Sequence, residues 1–279
     1  MSYKTIIVYL PEPDRARVLL DVAMAIADAH EAHLIGLHVI PDIRLYGSVA
    51  VELAGEVLEH QRAAMRRDAN EVGAIFADAT RTMASRVEWR SDNNAYPNLS
   101  SEVAREAHCA DLIVMGQANH DPYGISDDMP ARVIFGSGRP VLIVPSAGSY
   151  REVGKNVLLA WNGTREAARA AFDALPLMKR AASVRVLSVN PSKSGDKGAL
   201  AAGDNLAVAL ARHGIRTEAA TSVTSDISPG DELLSRAADL GADLLVMGCY
   251  GHSRLRETIF GGVTRHILKT MTLPVLMSH

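Results

Sequence analysis

Four glycines in the stretch GCYGHSRLRETIFGGVTRHIL, residues 248–268, could let the main chain close around an anion. Glycine adopts positive φ without strain and lets the backbone approach a ligand closely. The stretch follows the apolar run DLLVM and leads into a helical pattern, whose first N–H groups and positive dipole end favour negative charge. These features predict a phosphate-binding loop made by the following residues: Gly248, Gly251, Gly261, Gly262, Val263 and Thr264.

The glycine spacing G-x2-G-x9-G-G differs from the familiar nucleotide fingerprints GxxxxGK[ST] and GxGxxG. A phosphate held by the N–H groups of residues 261–264 would have the Thr264 hydroxyl within reach. A simpler interpretation stays open, in which Gly248 and Gly251 only end a strand and turn the loop. The glycines alone favour neither interpretation.

Cys249 is the side chain in this stretch with the most reactive chemistry. A helix N-terminus together with Arg254 and Arg256 could stabilise its thiolate, although we favour a loop cysteine without a role. A metal site that adds His252 and His266 is disfavoured, because the spacing fits no standard zinc pattern. No catalytic residue and no metal ligand is therefore assigned.

The chain repeats itself, which indicates a duplicated domain. Three pairs of segments recur in the same order: ADLIVMG and ADLLVMG, PVLIVP and PVLMSH, KTIIVYL and KNVLLAW. The Pro/Gly/Ser-rich stretch PSAGSYREVG suits a linker between the copies. We therefore predict an N-terminal half over residues 1–146 and a C-terminal half over residues 152–279.

Each half alternates short apolar strands with helical segments, which predicts an α/β fold. Strands that are apolar on both faces indicate a parallel sheet covered by helices on both sides. The expected architecture is two tandem, doubly wound domains of five parallel strands each. In such sheets ligands bind beyond the carboxyl ends of the strands at the topological switch point, and Gly248 is the first residue beyond DLLVM.

Composition limits the classes of partner. The 279 residues carry 29 basic and 32 acidic side chains, a net charge of −3, which argues against nucleic acid and anionic membrane. Two cysteines suggest a reducing compartment. No window approaches the roughly 18 apolar residues of a membrane helix. We therefore expect a soluble, cytoplasmic protein.

The pattern G-x2-G-x9-G-[S/T] after a fourth strand resembles the ATP-binding motif of the universal stress protein family. The strand order, the final PVL strand and the duplication resemble its tandem members, over nearly the whole chain. The resemblance implies an adenine nucleotide α-hydrolase-like fold and, as in one subgroup of the family, ATP held in the loop after the fourth strand, with Mg²⁺ if the phosphates recruit it. It places Gly248 and Gly251 against the ribose and phosphates, and residues 261–264 around the β- and γ-phosphates.

Two positions in the C-terminal half depart from the family pattern. Gly262 stands where the motif has Ser or Thr, which removes a hydroxyl and keeps the backbone donor. Asn162, in the sequence AWNGT after the first strand, stands where the family has Asp, and it can still bond a hydroxyl or an adenine edge. We expect Trp161, its neighbour, to pack in the core.

The N-terminal half departs further, and we predict that its nucleotide site is degenerate. Asn119 replaces the second glycine, and the first strand leads into Glu12 between two prolines. Asp121, Asp127 and Asp128 place negative charge where phosphate would lie, which Coulomb repulsion opposes.

These features together predict a stress-response regulatory protein that binds ATP in its C-terminal half with little or no turnover. An unknown protein partner would recognise its surface. A nucleotide-free scaffold and a slow ATP-hydrolysing enzyme of the same fold are the alternatives. The family resemblance also implies that the last strands of the two halves, residues 140–145 and 274–278, pair to make an internal pseudo-dimer. Homodimerisation of the whole chain is left open.

Overall fold

A ten-stranded sheet runs through the molecule, in the order β10-β9-β8-β11-β12-β7-β6-β1-β2-β4. A computed structural model describes residues 2–42, 51–91, 95–96, 98–118, 128–191, 198–249 and 262–279. The left five strands belong to the C-terminal half and the right five to the N-terminal half. Counted in chain order within each half, both sets follow the order 3-2-1-4-5, which is that of a doubly wound sheet.

The N-terminal half contains these elements in chain order: β1 (Thr5–Tyr9), α1 (Pro13–His30), β2 (His33–Leu37), β3 (Ile40–Pro41), α2 (Val51–Ala79), a 3-10 helix (Arg81–Arg86), β4 (Val87–Arg90), β5 (Ala95–Tyr96), α3 (Leu99–Ala107), β6 (Leu112–Gly116), α4 (Met129–Ser137) and β7 (Val141–Val144). β3 and β5 form a small two-stranded sheet of their own, which the sequence did not predict.

The C-terminal half repeats the pattern: β8 (Asn156–Ala160), α5 (Arg165–Asp173), α6 (Leu175–Met178), β9 (Ser183–Val189), α7 (Gly198–Arg212), β10 (Thr217–Ser222), α8 (Pro229–Asp239), β11 (Leu244–Gly248), α9 (Gly262–Thr270) and β12 (Val275–Ser278). The sequence of residues 164–181 has helical character throughout and predicts one helix there, but the structure divides this segment into α5 and α6. Pro176 lies in the first turn of α6, and its missing N–H and its ring disfavour continuation of α5.

Two apolar cores cover the two faces of the sheet, as expected for strands that are apolar throughout. Ile6 and Val8 of β1 contribute to the first core, which also holds α1 and α5. Ile7 and Tyr9, the alternate residues of the same strand, contribute to the second core, with α4 and α9. The predicted α/β fold with helices on both faces is therefore confirmed.

The halves are joined by their last strands. β12 pairs antiparallel with β7, with Val275 opposite Ile143 and Met277 opposite Val141. Every other pairing in the large sheet is parallel. The predicted pairing of residues 140–145 with 274–278 is confirmed, and it makes one continuous sheet from the two copies. No helix among the described residues is both long and apolar enough to cross a membrane.

Candidate functional site

The carboxyl ends of β8 and β11 lie side by side in the C-terminal half. The two strands are parallel neighbours, with Leu244 opposite Val157 and Val246 opposite Leu159. From β8 the sheet continues towards β9, and from β11 it continues towards β12, on the other side. The chain therefore reverses its winding between them, and this reversal opens a crevice at the carboxyl edge of a parallel sheet. α5 follows β8 on one face, and α9 follows β11 on the other.

Asn162 lies in the turn that connects β8 to α5. Its side-chain oxygen accepts hydrogen bonds from the backbone N–H of Thr164 at 3.2 Å and from the Thr164 hydroxyl at 2.9 Å. Gly163 has φ +75°, a conformation that side chains disfavour. Because its oxygen is engaged in the turn, the exposed Asn162 can offer a ligand its amide N–H donors.

Thr164 caps the first turn of α5. Its hydroxyl accepts from the backbone N–H of Ala167 at 3.3 Å, which satisfies one of the helix donors that lack an internal partner. Trp161, at the end of β8, is partly buried and packs against the first core, as expected. The turn is thus held by local hydrogen bonds on one side and by apolar packing on the other.

Gly248, the last residue of β11, packs against the first turn of α5. A Cβ at this position would stand 2.5 Å from the backbone nitrogen of Ala167 and 2.6 Å from the carbonyl carbon of Glu166. The end of β11 therefore lies directly against the first turn of α5. This contact supports a packing role for Gly248, a role for which sequence alone gave no partner.

Gly262, Val263 and Thr264 form the first turn of α9. Gly262 is exposed, and no atom of the described chain lies within 4 Å of where its Cβ would stand. Val263 packs against the second core, and Thr264 is only 4% exposed. The first turn thus offers backbone N–H groups beside an open glycine surface, while a contact between the Thr264 hydroxyl and a phosphate stays a prediction. Gly251 and Gly261 lie outside the described residues.

Glu166 is a site residue that the sequence analysis missed. Its carboxylate is buried, with 5% of the residue exposed, and bonds to Nε of Arg165 at 2.5 Å. Burial raises the pKa of Glu166, but hydrogen bonds from Arg165, from its own backbone and from Thr164 prevail and lower it. A charged carboxylate in the first turn of α5 is favourable to the helix dipole. That position within the first turn was the signal available in the sequence.

Cys249 differs from the reactive thiolate considered above. The residue is fully buried, and burial alone raises the pKa of its thiol well above the usual range. Its backbone N–H donates to Ser278 and its carbonyl oxygen lies 2.9 Å from Nδ1 of His279. The hypothesis of a stabilised thiolate is therefore wrong. His266, the other described member of the disfavoured metal set, lies 2.7 Å from Oδ1 of Asp231.

The corresponding crevice of the N-terminal half, between β1 and β6, begins its helices differently. Glu12 is the N-cap of α1 and is followed by Pro13, which has no N–H. Asp128 is the N-cap of α4, whose first turn contains Pro130. Each helix thus begins with a carboxylate and has lost one donor. Asn119, Asp121 and Asp127 lie outside the described residues.

Fold and crevice together define a tandem α/β protein with a switch-point crevice in each half. The family model of the universal stress protein family matches residues 2–145 and 154–279, so the chain belongs to this family. The two matches correspond to the two copies of the repeat.

Solved structures with the same fold extend over the whole chain. A universal stress protein from Archaeoglobus fulgidus is 18% identical, with a TM-score of 0.71 over 98% of this chain and 97% of that one. A protein of unknown function from Pseudomonas aeruginosa, also 18% identical, has a TM-score of 0.59 over 99% and 92%. At these identities the likeness concerns the fold.

One curated relative is similar in sequence over a short segment. A universal stress protein from Methanocaldococcus jannaschii is 37% identical over 49 residues. The match covers 18% of this chain and 30% of the length of that protein.

Proposed function

We propose that this protein is a stress-response regulator that binds ATP in the crevice of its C-terminal half, with little or no turnover. The observation that carries the proposal is the difference between the two crevices. In the C-terminal half, α5 begins with the neutral cap Thr164 and α9 begins with Gly262 and Val263, none of which lacks an N–H. In the N-terminal half both corresponding helices begin with a carboxylate and a proline. The contrast is clearest between α9, whose first turn has no acidic residue, and α4, whose N-cap is Asp128: an anion is favoured at the first and disfavoured at the second.

Family membership supports ATP as the anion, since the glycine spacing before α9 resembles the ATP-binding motif of one subgroup of the family, although Gly262 replaces the Ser or Thr of that motif. Asn162 would donate to a nucleoside hydroxyl or an adenine edge, and the first turn of α9 would donate to phosphate. Gly248 and Gly251 would lie beside the ribose. Mg²⁺ would enter with the phosphates rather than through a preformed set of protein ligands.

The described side chains near the crevice support low turnover. Phosphoryl transfer needs a nucleophile and carboxylates positioned around a metal. Glu166 is the buried carboxylate of the first turn of α5, and Arg165 already engages it. Nucleotide occupancy would instead stabilise one arrangement of the two helices, which a cytoplasmic protein partner would recognise.

Calorimetric titration with ATP, with and without Mg²⁺, tests the proposal. Gly262→Asp is the diagnostic variant. It adds a negative charge at a position with open space, and the positive N-terminal end of the α9 dipole stabilises that charge. It should fold normally and bind ATP at least about fivefold more weakly, since one repelled charge at 4 Å is worth roughly 1 to 4 kcal/mol.

Gly55→Asp is the matched control, since Gly55 is an exposed helical glycine of the N-terminal half with equally open space. It should bind ATP like the wild type. A wild-type protein that gives no heat with millimolar ATP would contradict the proposal and leave the nucleotide-free scaffold. Multiple turnovers per minute in a phosphate-release assay would favour the slow enzyme instead.

A further inference from the structure

Gln117 of the N-terminal half reaches the last turn of a helix in the C-terminal half. It follows β6, and its backbone N–H donates to the carbonyl oxygen of Val144 at 2.7 Å. Its side-chain nitrogen donates to the carbonyl oxygens of Leu268 at 2.9 Å and Lys269 at 3.2 Å. Its side-chain oxygen accepts from the backbone N–H of Ser146 at 2.9 Å. One amide thus ties β6, the linker and α9 together.

The partners fix the orientation of this amide. Two carbonyl oxygens can accept only from its NH₂ group, and the N–H of Ser146 can donate only to its oxygen. Both carbonyls belong to the last turn of α9, where backbone oxygens have no partner within the helix. Because its amide has one orientation, Gln117 fixes the position of the last turn of α9.

α9 connects Gln117 to the candidate site directly. The helix has nine residues, Gly262–Thr270, and so extends about 13 Å at a rise of 1.5 Å per residue. Its last turn is bound by Gln117, and its first turn supplies the N–H groups of Gly262, Val263 and Thr264. A short helix moves as a unit, so a shift at one end displaces the donors at the other.

α5, the second helix of the crevice, is held in the same way. The hydroxyl of Tyr3 donates to the carbonyl oxygen of Asp173, the last residue of α5, at 2.8 Å. Tyr3 is 4% exposed, so this bond is sheltered from water. Both helices that start at the crevice of the C-terminal half therefore end on a side-chain donor of the N-terminal half.

From these contacts we infer that Gln117 is a positioning residue for the nucleotide crevice of the other half, an inference that rests on the proposed function. The N-terminal half thereby contributes to the site through Gln117 without this residue being one of the proposed ligand contacts. Loss of the Gln117 donor releases the last turn of α9 and misplaces the donors of the first turn.

Gln117→Glu tests the inference, because it keeps the shape and replaces the donor with a carboxylate facing two carbonyl oxygens. We expect the Kd for ATP to rise about tenfold, within the roughly 5- to 150-fold range of coupling between sites. Gln117→Met, which removes the donor without adding charge, should weaken binding in the same direction and guards against a variant that fails to fold.

Ser183→Ala is the matched control within the C-terminal half. It removes the hydrogen bond from the Ser183 hydroxyl to Asn156 at 2.9 Å, at the amino ends of β9 and β8 and thus at the edge opposite the crevice. Its Kd should equal that of the wild type, although it also loses one side-chain hydrogen bond. An equal rise in Kd in this control would mean that the Gln117 variants weaken binding only by lowering the stability of the protein, and it would overturn the inference.

Hydrogen exchange of the nucleotide-free protein gives a second readout. The amides of residues 266–270, which are the ones hydrogen-bonded within α9, should exchange faster in both Gln117 variants, while those of α8 keep their wild-type rates. Wild-type Kd values in both variants, or unchanged exchange in α9, would overturn the positioning role alone. If the wild type itself binds no ATP, the proposed function fails, and the positioning role for a nucleotide fails with it.

Discussion

Gly248 and Ala167 are in such close contact that no side chain fits between them. A Cβ on Gly248 would stand 2.5 Å from the backbone nitrogen of Ala167, with the carbonyl oxygen of Glu166 at 2.9 Å. These are backbone atoms within a helix, and they cannot rotate away as a side chain would. The end of β11 can therefore pack this closely against the first turn of α5 only because residue 248 has no Cβ.

Gly248→Ala should destabilise the protein by roughly 1–3 kcal/mol, the usual cost of overpacking a close contact. Chemical denaturation measures the change. Gly116→Ala is the matched control at the equivalent position of the N-terminal half, where a Cβ would lie 3.9 Å from the Leu19 side chain. Equal stability losses in the two variants would contradict the contact described for Gly248.

The sequence predicted the switch point because its signals are local. Apolar runs marked β8 and β11, and the repeat assigned them the same places in both halves. The contact of Gly248 could not be predicted, because strand patterns do not reveal which helix turn a strand end approaches. Gln117 was missed for a related reason, since its partner Leu268 lies 151 residues away and a polar residue after a strand has no distinctive pattern.

Helix caps are also made between neighbours in the sequence. Thr164 and Ser228 precede α5 and α8 with their hydroxyls accepting from the first turn. The break between α5 and α6 depended on Pro176 outweighing a helical apolar pattern around it. The burial of Cys249 results from tertiary packing, which the sequence does not show, whereas its position in a loop suggested that it would be exposed.

The two cysteines should differ in reactivity with a thiol reagent. Cys109 is exposed, whereas Cys249 is buried and burial raises the pKa of its thiol. A maleimide at pH 8 should therefore label one thiol rapidly in the native protein and a second only after denaturation. Cys109→Ser should abolish the rapid phase. Rapid labelling that persists in this variant would mean that Cys249 is accessible.

Asp231 should make stability depend on pH in acid. Hydrogen bonds from Ser228 and from His266 of α9 hold the pKa of this carboxyl below its ordinary value of 3.8. A lowered folded-state pKa contributes stability above the unfolded value and loses it as the pH falls through the folded one. Asp231→Asn should therefore unfold at lower urea concentration than the wild type at pH 7, and the difference should shrink below pH 3.8. A difference that is equally large at pH 3 and pH 7 would count against this assignment.

Gly262→Ser should strengthen ATP binding. The substitution supplies the hydroxyl that the family motif has at this position, and no described atom lies within 4 Å of the new Cβ. Serine is also about 0.5 kcal/mol better than glycine within a helix, so the fold should not suffer. One added hydrogen bond to a charged phosphate is worth roughly 1.5–3 kcal/mol, which corresponds to a gain in affinity of about 10- to 150-fold. Calorimetry on Gly262→Ser and Gly262→Ala separates the two contributions, because alanine improves the helix without adding a donor. If both variants bind ATP alike, the hydroxyl contributes nothing, and the first turn of α9 holds phosphate through its backbone alone.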